Sequence, residues 1–104
     1  MANNYRQVPG FPNYSVNPYG KVKNTKRGTN KEPSYQRPHG YLYVVLWHKG
    51  NQKKFYIHRL VYEVHVGPIA QGMEIDHIDD NPHNNHVSNL QMVTPTYNKS
   101  MRFQ

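Results

Sequence analysis

Cysteine is absent from these 104 residues, so neither disulfides nor thiolate zinc sites can brace the fold. Packing alone must hold it. Acidic side chains are scarce: 6 Asp and Glu stand against 13 Lys and Arg, for a formal charge of +7 and a pI near 9.7. That imbalance is the electrostatic footprint of a polyanion binder and favours nucleic acid as partner. Long apolar runs, amphipathic basic helices and a signal-peptide pattern are all missing, which argues against a membrane and predicts a soluble, intracellular, cytoplasmic chain. Nothing like His-Glu-x-x-His occurs, so a zinc protease site is unsupported. Hydrophobic residues make up only 36%, but nine tyrosines and one tryptophan bring large area per residue, so an aromatic core is expected.

The length suits one small domain, read as an N-terminal β-rich part over residues 1–57 and a second unit over 58–104. Tyr14-Ser15-Val16 and Gly20-Lys21-Val22-Lys23 flank an Asn17-Pro18-Tyr19 turn signal, which predicts a small hairpin. Residues 24–40 have almost no aliphatic side chains and read as an exposed, mobile loop, serving either as a solvated linker or as a phosphate-tracking arm. Tyr41–Trp47 and Lys53–Ile57 form the clearest hairpin, turning over His48-Lys49-Gly50-Asn51, with Lys53 and Lys54 flanking its tip. From His58 to Val66 the spacing of Leu60, Val61, Val64 and His65 predicts a helix, stopped by Gly67-Pro68. His58 and His65 read as structural.

The chain is organised around Glu74–Asn81 and its echo in Asn89–Asn98. Asp76 and His77 end one apolar run; the Asn-rich loop from Asp79 to Ser88, with Pro82, follows as turn chemistry; Leu90–Val93 is a second short strand. Thr94 offers an N-cap oxygen and Pro95 suits the first helical position. Asn98 then falls in the first turn of that helix, where its amide oxygen can face the carboxylate of Asp76. Two hard oxygen donors converge there, with an imidazole next to one of them. His83 and His86 read as exposed loop residues, and Asp79 and Asp80 as loop-shaping ones.

Asp76-His77 closing one strand, Asn89-Leu90 opening the next and Asn98 in the following helix resemble the HNH nucleases, in the variant whose last histidine is replaced by asparagine. The similarity is to phage- and intron-associated homing endonucleases and spans His58 to Asn98, including the helix that opens with His58-Arg59-Leu60-Val61. Phe11 to Lys23, with Tyr14-Ser15-Val16-Asn17 and then Gly20-Lys21-Val22, resembles the short N-terminal module that accompanies such nucleases.

The resemblance implies an α+β fold in which a ββα-metal (His-Me finger) unit sits beside a hairpin-rich N-terminal part. It implies a DNA endonuclease that hydrolyses phosphodiester bonds of double-stranded DNA, nicking or cutting both strands. Imidazole is neutral near neutral pH, which suits His77 as general base. Asp76 and Asn98 would hold one magnesium or manganese ion, since carboxylate and amide oxygens are hard donors. Asn89 would hydrogen-bond the loop and orient His77. Cations placed for DNA contact are Lys21, Lys23, Lys26, Arg27, Lys53, Lys54, Arg59, Lys99 and Arg102. Gln104 follows soon after the metal helix, where homing relatives continue into separate DNA-reading helices, so specificity is expected from the N-terminal part, a homodimer or an accessory protein. A basic DNA-binding protein that keeps the scaffold without cleavage is the alternative; an RNA-binding module lacks any recognisable motif. A phage-encoded protein acting in its host cell fits the family.

Overall fold

A computed structural model describes residues 4–96. Among these residues nine strands and one complete α-helix run in the order β1 (Arg6–Val8), β2 (Phe11–Val16), β3 (Val22–Asn24), β4 (Thr29–Lys31), β5 (Ser34–Gln36), β6 (Tyr41–His48), β7 (Asn51–Tyr56), α1 (Ile57–His65), β8 (Glu74–His77) and β9 (Leu90–Val93). Three antiparallel sheets result: β1-β2-β3-β4, β5-β6-β7 and β8-β9. This is the α+β architecture that the sequence implies, with the hairpin-rich part leading into a β8-loop-β9 unit.

Local chemistry accounts for the hairpins. Lys49 and Gly50 both take positive φ, 51° and 79°, the paired left-handed conformation whose twist matches that of the flanking strands. Six cross-strand pairs, from Tyr43↔Tyr56 to His48↔Asn51, follow from that register. Helix α1 buries Ile57, His58, Leu60 and Val61, and the N–H groups of Val66 and Gly67 both close on the Tyr62 carbonyl at its end.

Among the described residues one hydrophobic cluster joins the sheets and the helix. Val8 and Val16 of the first sheet, Val44 and Leu46 of β6, Ile57, Leu60 and Val61 of α1, and Ile75 and Leu90 of the last hairpin are all in it. Helix α1 contacts β1, β2, β6, β7 and β8, so the N-terminal sheets and the β8-β9 hairpin are packed onto the same helix. Among the described residues no helix is long and apolar enough to cross a membrane.

Three expectations need correction. Residues 24–40 contain β4 and β5, edge strands that pair through their backbones while most of their side chains stay exposed. The core is aliphatic rather than aromatic: Tyr14 is the only buried tyrosine among the described residues. Lys53 and Lys54 sit inside β7, opposite Leu46 and Val45, rather than at the hairpin tip. Lys53 lies 5.2 Å from the Phe55 ring centroid and Lys54 lies 4.3 Å from that of Tyr43, and Lys54 also donates to the Gln36 side-chain oxygen.

Candidate active site

Strand β8 pairs with β9 in the register Asp76↔Gln91 and His77↔Leu90. Successive strand residues project to opposite faces, so Asp76 and His77 occupy different surroundings. Asp76 is 9% exposed, and its Oδ2 accepts a hydrogen bond from Gln91 Nε2 at 3.1 Å. His77 is 1% exposed and enters a nest of rings: His58 lies 4.8 Å away between centroids, and Tyr41 stacks at 5.8 Å with a 29° interplanar angle. His77 Nε2 meets Asn85 Oδ1 at 2.7 Å. Beside this nest opens a cleft of about 240 Å³ lined by His39, Tyr41, Tyr56, His58, Arg59, Glu74 and Ile75.

The loop between β8 and β9 is built from side-chain-to-backbone bonds, as its Asn and Asp content predicts. Asp79 Oδ1 accepts from the Asn81 N–H at 2.8 Å, Asn81 Oδ1 accepts from the His83 N–H at 3.0 Å, and the Asn84 amide donates to Asp79 Oδ2 at 2.8 Å. Asn89 closes the loop from the far side. Its Nδ2 donates to Asp79 Oδ1 and to the Asn84 carbonyl, both at 2.9 Å, while its Oδ1 accepts from the Asp79 N–H at 3.1 Å. Its backbone carbonyl also takes the Ile78 N–H at 2.8 Å. Asn89 therefore ties down the segment that leaves His77, and the Asn84 amide foremost, with the Asn81 N–H and Asn89 amide, holds the Asp79 carboxyl below its ordinary range.

His58 has a different role from the other histidines. It is 4% exposed, and its Nδ1 has no hydrogen-bond partner. Burial, then the nearby His77, Arg59 and His39, push its pKa down from 6.5 to about 3. It is a neutral ring at physiological pH. His65, in contrast, is tied to the Val16 carbonyl at 2.8 Å and serves packing.

As for a metal, the Asp76 carboxylate is a hard donor at the end of a short strand. Among the described residues no group of three or more His, Cys, Asp or Glu side chains is gathered to hold an ion. A carboxylate oxygen suits a hard divalent cation. The proposed second ligand, Asn98, lies outside the described residues, as do Lys99 and Arg102.

The remaining expected DNA contacts are dispersed. Lys21, Lys26 and Arg27 are exposed, and Lys23 is half-buried with its ammonium 4.2 Å from the Tyr5 ring centroid. Arg27 also borders a cleft of about 350 Å³ shared with Lys31, Asn24 and Trp47. Arg59 lines the smaller cleft next to the ring nest. Sequence reasoning did not single out Asn85 or Tyr41, which stand against His77; His58, read as structural, is the buried neutral ring beside them. Asn85 is one of several asparagines in its loop, and nothing in the sequence marks which amide turns inward.

Comparison with known proteins places these features. Residues 55–100 match the HNH endonuclease model, and residues 4–47 match the NUMOD4 motif. A putative HNH homing endonuclease derived from the SPbeta prophage of Bacillus subtilis is 40% identical over 76 residues, covering 71% of this chain and 43% of its own length. DNA endonuclease I-HmuI of Bacillus phage SP01 is 33% identical over 96 residues, covering 90% of this chain and 54% of its own. A solved structure titled as DNA binding and cleavage by the HNH homing endonuclease I-HmuI superposes with a TM-score of 0.87 at 29% identity, over 96% of this chain and 57% of that one. The chain spans about half the length of the curated relatives it matches.

Proposed function

Because the chain belongs to the HNH endonuclease family through residues 55–100, preceded by a NUMOD4 motif, we propose that it is a divalent-metal-dependent endonuclease acting on double-stranded DNA. The observation that carries this reading is the clamp of Asn89 on the loop directly after Asp76-His77, in a fold that superposes on a homing endonuclease. Such a clamp is what a positioned base requires, because a misplacement of about 1 Å can cost on the order of 100-fold in rate.

In this mechanism His77 takes a proton from the water that attacks the phosphorus. Asp76, joined by Asn98, would hold one magnesium or manganese ion. When bound, that ion supplies charge neutralisation at the phosphate and assistance to the departing 3′ oxygen. Asn89 fixes the loop and through it the backbone at His77. Tyr41 and His58 wall the imidazole off from bulk water on the side of α1. Lys21, Lys23, Lys26, Arg27, Lys53, Lys54, Arg59, Lys99 and Arg102 supply phosphate contacts, which position DNA without reading its sequence. Target choice, and the homodimer or accessory protein that would turn nicking into double-strand cutting, lie with surfaces beyond this site.

The test is conversion of supercoiled plasmid to nicked and linear forms in magnesium, manganese or EDTA, with His77→Ala alongside. Metal-dependent cutting that disappears in the variant supports the reading. A mobility shift by both proteins with no cutting in any metal overturns it in favour of a DNA-binding protein on the same scaffold.

A further inference from the structure

The turn joining β2 to β3 is packed against the loop that carries Asn85. Asn17, only 1% exposed, closes this turn with its own side chain, its Oδ1 accepting from the N–H groups of Tyr19 at 3.0 Å and Lys21 at 2.8 Å. The closed turn then touches the nuclease loop three times. The Pro18 carbonyl accepts the Val87 N–H at 2.8 Å. The Tyr19 ring meets His86 edge-on with centroids 4.6 Å apart. Gly20, at φ +88°, comes so near that a Cβ there would stand 3.0 Å from both Asn85 Cβ and Ile57 Cγ2. Asn85, 4% exposed, is thereby backed by the N-terminal unit on one side and presents its amide oxygen to His77 on the other.

We propose that Asn85, seated against the Asn17–Gly20 turn, is a positioning residue for His77. Its Oδ1 accepts the proton of His77 Nε2, which keeps the imidazole in the tautomer whose lone pair is on Nδ1, the nitrogen that receives the proton from water. The catalytic consequence rests on the nuclease reading of His77; the tautomer does not. A neutral imidazole in water distributes its proton between both nitrogens, and its ring turns about the bond to Cβ. One buried acceptor at 2.7 Å removes both freedoms. The N-terminal motif then completes the active centre, because its turn holds the residue that orients the base.

The experiment reads the tautomer and the kinetics separately, on the full chain. Imidazole-labelled protein, held well above the histidine titration range, is examined by long-range proton–nitrogen NMR. The natural chain is expected to show His77 protonated on Nε2. Asn85→Ala is expected to give a mixture of tautomers, Gly20→Ala a partial shift the same way, and Asn85→Asp, which keeps an oxygen at that reach, the natural tautomer. In plasmid cleavage, Asn85→Ala should lower kcat by roughly 10- to 100-fold with KM for DNA changed less than about twofold, and Asn85→Asp should recover more of kcat than the alanine variant. A His77 protonated on Nδ1 in the natural chain overturns the proposal, as does an Asn85→Ala protein with unchanged tautomer and kcat. Should Asn85→Ala fail to fold, the Gly20→Ala and Asn85→Asp spectra decide. A natural chain that cuts nothing would sink the nuclease reading alone, and the spectra would still settle whether Asn85 sets His77.

Discussion

His58 predicts an acid weakness that can be worked from its surroundings. The folded ring sits at a pKa of about 3, lowered first by burial, and its Nδ1 has no partner to share a proton with. The unfolded ring returns to 6.5. Above pH 6.5 both states are neutral and the residue contributes nothing to pH dependence. As the pH falls below 6.5 the unfolded chain binds a proton that the folded chain refuses, and stability drops by about 1.4 kcal/mol per pH unit until about pH 3. The full loss is on the order of 5 kcal/mol, a large part of the 5–15 kcal/mol typical of a domain. Urea unfolding at about pH 7, 6 and 5, on the natural chain and on His58→Phe, isolates this residue from the other histidines. Phenylalanine keeps a ring against Tyr41 and His77 and removes the orphaned nitrogen, so the variant should be at least as stable at pH 7. The gap between the two proteins should widen in the variant's favour by about 1.4 kcal/mol per unit below pH 6. Parallel curves would refute the buried, proton-refusing His58.

Asn89→Ala removes three side-chain bonds to Asp79 and Asn84; it should lower stability by about 1–3 kcal/mol and cleavage by more than tenfold, checked by thermal unfolding and plasmid nicking. Asp76→Ala should abolish metal-stimulated cutting while leaving DNA binding near its natural level, measured by nicking and gel shift in the same buffers; retained metal-stimulated cutting would remove Asp76 from the site. Leu46→Ala, at a position with no exposed surface, should cost about 2–5 kcal/mol, read as a lowered urea midpoint. A fragment of residues 58–104 leaves behind Val8, Val16, Val44 and Leu46, which share the core with Leu60 and Val61. It should lack a cooperative thermal transition, and a sharp transition in calorimetry would show that the hairpin-rich part is dispensable for folding.

The β6-β7 hairpin was legible because residue types and turn agree: β-branched and aromatic runs flank Lys49-Gly50, and the turn takes the positive φ pair that glycine tolerates. Helix α1 was legible from Leu60 and Val61 and from the Gly67-Pro68 stop. The loop chemistry around Asp79 and Asn81 followed from short polar side chains that cap their own backbone. Strands β4 and β5 were not legible, since Thr29–Lys31 and Ser34–Gln36 show no apolar alternation; their pairing uses backbone groups that every sequence has. Asn85 could not be picked out either. Its inward turn depends on the closure of the Asn17–Gly20 segment, 65 or more positions away in the chain, and no local pattern records such a contact.

Asp76 and His77 are neighbours in sequence but face opposite sides of β8, and this gives each a different environment, suited to the role proposed for it. A carboxylate that is to share a hard ion must keep some access to water, and Asp76 lies beside the Gln91 amide at the margin of burial. An imidazole proposed to accept a proton benefits from a fixed ring. His77 has the fixed ring through Asn85 and Tyr41. His58 adds no charge of its own there: the ring 4.8 Å away is held neutral by burial down to about pH 3. A histidine at position 58 thus fills the space of an aromatic residue there, and its burial keeps it from acting as a base. The same desolvation that makes His58 an acid liability keeps that ring from adding a positive charge beside His77 at neutral pH.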